Sequence, residues 1–146
     1  MKVVKVLLIL AGVCFLGIIL LRIVFFGIPI PFPVNLSRVD RIELEESADK
    51  PSTEPRIFVI DDKEEIEDFM SHFKGIGWGI KATPSCPFGL PITFYEGRKV
   101  IKMDLGTDDC GLICYKNYYF FMNEEQVYKL QDKIRELGLD FDRIRW

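Results

Sequence analysis

From Val3 to Ile28 the chain reads VVKVLLILAGVCFLGIILLRIVFFGI, with no charged and no strongly polar side chain between Lys5 and Arg22. A helix of this length crosses a hydrocarbon core of about 30 Å. Lipid offers backbone groups no outside partner, so a helix is the form such a run takes there. Residues 1–28 are therefore expected to be a membrane anchor, with residues 3–28 in contact with lipid. Lys2 and Lys5 on the short side predict an N-inside orientation. Arg22 is placed to lay its stem in lipid and its guanidinium in water near the far interface. The expected location is the cell membrane, single-pass, with the C-terminal part outside the cytoplasm.

Two rival readings compete for the same stretch. A removed signal peptide needs a short apolar region and a small-x-small cleavage site. Here the apolar run is longer than that, and no Ala-x-Ala follows it. Leu10-Ala11-Gly12-Val13-Cys14 resembles the lipobox of bacterial lipoproteins, except that Val13 stands where a small residue should precede the cysteine. The apolar run also continues for more than about ten residues past Cys14. Retention from a start at or near Met1 is the expectation.

After the anchor, about 110 residues remain, enough for one core and not two. All 22 acidic residues lie in this part, and three of the 19 basic ones (Lys2, Lys5, Arg22) lie in the anchor. That leaves 16 basic residues and a formal balance of −6. Such a balance argues against nucleic acid, or an anionic membrane surface, as a partner of the domain.

Pro29, Pro31 and Pro33 alternate with Ile30, Phe32 and Val34, which forbids a helix. Residues 29–37 are expected to be a stiff spacer lifting the domain off the bilayer, with Phe32 near the headgroups. Residues 38–146 form the domain. Ser37–Glu46 and Arg56–Ile60 read as two strands of a hairpin around a polar loop, Ser47–Pro55. Asp62 caps a helix whose Ile66, Phe69, Met70 and Phe73 share a face, with Glu65 placed for a capping box. Gly75 and Gly77 end it, and Trp78–Lys81 reads as a short strand. Pro91–Tyr95, Lys99–Leu105, Leu112–Tyr115 and Tyr118–Met122 are further strands, the last two turning at Lys116-Asn117. Asn123 and Gln126 make a capping box for a final helix with the stripe Val127, Leu130, Ile134 and Leu137, and Gly138 stops it.

The fold class is α+β: an antiparallel sheet with two amphipathic helices on one face. Offset by 61 residues, Val39–Leu44 lies over Val100–Leu105 and Asp62–Ile66 over Asn123–Val127, as a β-β-α duplication would give. Any strand–cap–helix junction shows the same match, so chance is its rival.

The chemistry-bearing residues weigh against catalysis. Asp61, Asp62, Glu64, Glu65, Glu67 and Asp68 crowd a helix start without the glycine and alternating ligands of a calcium loop. Asp104, Asp108 and Asp109 flank a glycine-containing turn. His72 is the only histidine, and no second ligand pair exists for zinc. The Tyr115, Tyr118, Tyr119, Phe120 and Phe121 cluster reads as sheet core with cross-strand pairs, an aromatic surface patch being the alternative. No catalytic, cofactor or metal residue is assigned. The expected function is a non-enzymatic, membrane-anchored protein-interaction or inhibitor-like module with an unidentified protein partner. The alternative is a small-ligand binder or enzyme centred on the Cys86/Asp109/Cys114 region, which a pocket lined by Cys114, His72 and Asp109 would favour. A thiol nucleophile at Asp109-Cys110 with His72 as its base has nothing in the sequence to place the histidine there.

Cys86 and Cys110 are expected to pair outside the cytoplasm. Both fall in loops, whereas Cys114 lies in a strand among apolar neighbours, where a thiol behaves as a small hydrophobe. Cys110 and Cys114 are about 13 Å apart along an extended strand, too far for a bridge.

Overall fold

The computed structural model describes residues 2–46, 55–82, 88–106 and 110–139. Helix α1 spans Lys2–Phe26, and its Val4–Phe25 portion is long and apolar enough to cross a membrane. The rest is α+β. In chain order come β1 (Arg41–Glu46), β2 (Arg56–Ile60), α2 (Lys63–Ser71), β3 (Ile80–Lys81), β4 (Phe88–Glu96), β5 (Lys99–Gly106), β6 (Leu112–Tyr115), β7 (Tyr118–Phe121) and α3 (Glu124–Glu136). The strands form one antiparallel seven-stranded sheet in the order β2-β1-β4-β5-β6-β7-β3.

Alternation builds the sheet's buried face. Ile42 stands opposite Ile60 and Phe94, Phe94 opposite Ile101, and Leu44 opposite Ile92, which meets Met103. The row continues through Leu105, Ile113 and Phe120. All of these are buried in one cluster with Ile66, Phe69 and Met70 of α2 and Val127, Leu130 and Ile134 of α3. Both helices therefore cover the same face of the sheet. Their ends follow local rules. Asp62 Oδ1 accepts from the Glu64 and Glu65 amides at 2.9 and 3.1 Å. Asn123 and Gln126 close a full capping box at 2.8 and 3.2 Å. The β6–β7 turn places Lys116 (φ 49) and Asn117 (φ 67) in the left-handed region, as a two-residue hairpin requires.

Three expectations change. The 29–37 segment does not stand clear of the domain. With proline at every second position, Ile30, Phe32 and Val34 share one face and find the core. Ile30 bridges Gly79, with hydrogen bonds at 3.1 and 2.7 Å. Phe32 packs edge-on to Phe120 at 5.3 Å and stacks with Phe73 at 6.1 Å. Val34 is buried. Phe32 is thus partly buried against the core. The second change concerns Trp78–Lys81, which shrinks to Ile80–Lys81, with Trp78 exposed. Lastly, the 61-residue offset pairs β1 with β5 and β2 with β7. Yet β1 and β2 are neighbours, while β6 separates β5 from β7. The topology does not repeat at that offset.

Gly79 is fixed by contact. A Cβ there would meet the Phe120 ring at 2.5 Å, and that ring is fully buried. The close approach lets the Ile30–Gly79 bridge form directly over the aromatic core.

Candidate interaction face

The second face of the sheet has no helix over it among the described residues. Alternation sends Arg41, Glu43 and Glu45 of β1, Ile57 and Val59 of β2, Thr93 and Tyr95 of β4 to this side, as the partners of one another. Val100, Lys102 and Asp104 of β5, Cys114 of β6 and Tyr119 and Phe121 of β7 join them. Four of its apolar side chains are strongly exposed: Ile57 (57 %), Val59 (46 %), Val100 (51 %) and Phe121 (56 %). Single exposed apolar residues are ordinary on a protein surface, but here four alternate with ordered polar groups on one sheet.

The polar groups are preorganised. The Tyr95 hydroxyl donates to Glu43 Oε2 at 2.6 Å, and Arg41 pairs with Glu43 Oε1 at 2.5 Å while its guanidinium lies 5.4 Å from the Tyr95 ring centre. The bond to Glu43 raises the Tyr95 phenol above its ordinary value, with burial and the Glu43 charge adding to it. Asp104 stands opposite Cys114, and burial followed by repulsion from Glu45 raises its carboxyl. Tyr119 stands opposite Cys114 and packs, tilted, against Phe88 with ring centres 5.7 Å apart, its phenol raised by burial and then by Cys114.

The aromatic cluster divides between the faces. Phe120 is core, and Tyr115 and Tyr118 pack against it, while Tyr119 and Phe121 face outward. The core reading holds for Phe120, while Phe121 is exposed, because period-2 alternation sends adjacent aromatics to opposite sides.

His72 and Cys114 are not brought together. Cys114 is half-buried on the helix-free face, opposite Asp104 and Tyr119. His72 caps α2 and lines a cleft with Asp68, Lys129, Asp132, Lys133 and Glu136, between the two helices. The sheet lies between the two groups, so no pocket is shared by His72 and Cys114. Cys86 and Asp109 lie outside the described residues. The free thiols among the described residues are Cys14 and Cys114. Among these residues no group of three His, Cys, Asp or Glu side chains is placed to hold a metal.

The inter-helix cleft is held by an ion pair that sequence reading missed. Lys133 Nζ lies 2.6 Å from Asp68 Oδ2, joining α3 to α2. A helix-face lysine and a helix-face aspartate carry no sequence signal of their pairing. The mutual hydrogen bond lowers Asp68 and raises Lys133. Burial is the main cause that lowers the His72 imidazole below 6.5; Asp68 and Glu136 oppose it, and Lys133 and Lys129 reinforce it. A depressed histidine is neutral in the native state, so its contribution is present above the unfolded value, near 6.5, and is lost as pH falls through that value toward the folded one. Urea midpoints between pH 7.5 and 5.5 should therefore fall more steeply in the native chain than in His72→Gln. Equal slopes would remove His72 as a source.

No family model matches the chain, and no curated protein or solved structure matches it.

Proposed function

We propose that this chain is a single-pass membrane protein whose α+β domain, held outside the cytoplasm, is a non-enzymatic module that binds a protein through the helix-free face of its sheet. The observation that carries the reading is that face: Ile57, Val59, Val100 and Phe121 exposed around the Arg41–Glu43–Tyr95 network. Apolar and aromatic anchors amid fixed polar groups are the pattern of a protein contact. The test is site-specific photo-crosslinking in intact membranes. A photoreactive residue at Val59 or Val100 should give an adduct of one defined mass, while the same residue at exposed Lys129 of α3 should not. Val100→Asp should remove the adduct from position 59. No adduct from either open-face position would count heavily against a protein-binding role.

The external location is part of the proposal and carries a Cys86–Cys110 disulfide with it. Such a bridge closes a loop of about 25 residues, for which the chain-entropy model gives roughly 3 kcal/mol, acting mainly on the unfolded chain. Under non-reducing conditions, unfolding should expose one reactive domain cysteine, Cys114. Three reactive domain thiols would refute the bridge and undercut the location.

A further inference from the structure

The domain's net charge hides a strong polarity. Residues 27–39, 69–95 and 110–123 contain no aspartate or glutamate, and all 22 acidic residues lie outside them. The acid-free stretches supply β3, β6, β7, the segment that joins α1 to the domain, and β4 up to Tyr95 in the middle of the sheet. The acid-bearing ones supply β1, next to the far edge strand β2, Asp104 of β5, and the starts of both domain helices.

Among the described residues, the edge formed by β3 and the β6–β7 hairpin carries no carboxylate, and it is also where α1 meets the domain. Gly27, at φ 68, ends α1, and a Cβ on it would lie 3.2 Å from Lys81 Cβ and 3.8 Å from the Tyr118 hydroxyl. Val24 and Phe25, in the last turn of α1, share a cleft with Lys81, Ala82, Asn117 and Tyr119. Arg22 and Ile23 share another with Ile80. Lys81 is exposed at the end of β3, and Lys116 is exposed at the tip of the β6–β7 turn, its amine 5.2 Å from the centre of the Tyr115 ring. With α1 in a bilayer, this edge stands at headgroup depth, where tyrosine is a favoured side chain and a lysine can meet an anionic headgroup.

We propose that the β3–β7 edge is a second membrane contact, in which Lys81 and Lys116, beside Tyr118 and Tyr119, dock the domain onto anionic headgroups of the leaflet from which α1 emerges. The proposal rests on the reading of α1 as a retained anchor. A basic residue near an anionic leaflet is attracted by about 1 kcal/mol, roughly fivefold per lysine, within a Debye length of the surface. The carboxylates of β1, next to the far edge, are repelled by the same surface, which helps orient the domain and leaves its helix-free face accessible from the side.

The test uses the full chain in nanodiscs of phosphatidylcholine alone and of phosphatidylcholine mixed with phosphatidylglycerol. Amide hydrogen exchange at Lys116, Asn117 and Ala82 should be slower in the anionic discs, by about fivefold for each engaged lysine. Raising the salt should abolish the difference in the unaltered chain, and Lys81→Glu combined with Lys116→Glu should abolish it at low salt. Exchange in β4 and β5 reports that the variant is folded. If the variant unfolds, the salt dependence of the unaltered chain decides alone. Equal exchange in both lipids, or protection that salt does not reverse, would overturn the proposal and point to simple proximity or to a protein partner at this edge. A chain that fails to enter either disc would instead overturn the anchor.

Discussion

Truncating Phe73 to alanine is expected to destabilise the domain by about 3–5 kcal/mol. The residue is 1 % exposed and touches three other rings: Phe69 and Phe94 at 5.6 Å each and Phe32 at 6.1 Å. It therefore ties together α2, the sheet and the segment that leads from α1. Domains of this size are stable by about 5–15 kcal/mol, so the loss takes a large share of the total. A second consequence distinguishes this site from any other core position. With Phe32 deprived of its stacking partner, limited proteolysis should cut between Gly27 and Asp40 in the Phe73→Ala chain while sparing the native one. Val100→Ala, on the exposed face, should stay within about 0.5 kcal/mol in the same denaturation experiment. Equal effects at the two positions would mean that the helix-covered face is not the core.

Placing arginine at both Val13 and Leu16 should release the chain from membranes. Both lie near the middle of the Val4–Phe25 span, and neither is covered by the domain. Each arginine at a helix centre costs roughly 2.5–3.5 kcal/mol on the insertion scale, and each lost apolar residue adds a few tenths. Together they shift partition by about four orders of magnitude or more, since about 1.4 kcal/mol is tenfold. The native chain should remain in the pellet after alkaline carbonate washing, with a mature N-terminus at or near Met1, and the double variant should not. A mature N-terminus beyond Cys14, or a diacylglyceryl group on it, would sink the anchor reading.

Much of the local structure was legible because it is set by neighbours in sequence. The helix faces of Ile66–Phe73 and Val127–Leu137, the caps at Asp62 and Asn123, and the turn at Lys116-Asn117 each depend on residues within about one or two turns. The hairpin of β1 and β2 followed from their alternation. The site was less legible. Nothing in the order of residues says that the face carrying Cys114 lies across the sheet from His72, because that depends on which side the helices cover. For the same reason the proline-alternating stretch read as a free spacer: its period-2 face has value only where a core is waiting to receive it.

The amino-acid order alone determined a membrane-length apolar helix, an α+β domain with its elements in their places, and a single core. These follow from hydrophobic contiguity and periodicity, which are local properties of the chain. The tertiary structure decided the strand order β2-β1-β4-β5-β6-β7-β3, the uncovered face with Ile57, Val59, Val100 and Phe121, and the docking of Phe32 on Phe73 and Phe120. It also brought Lys81 and Ala82, and Asn117 and Tyr119 of the β6–β7 hairpin, separated in sequence, against the end of α1. Such juxtapositions arise when burial brings distant segments together, and a net charge or a linear spacing averages them away.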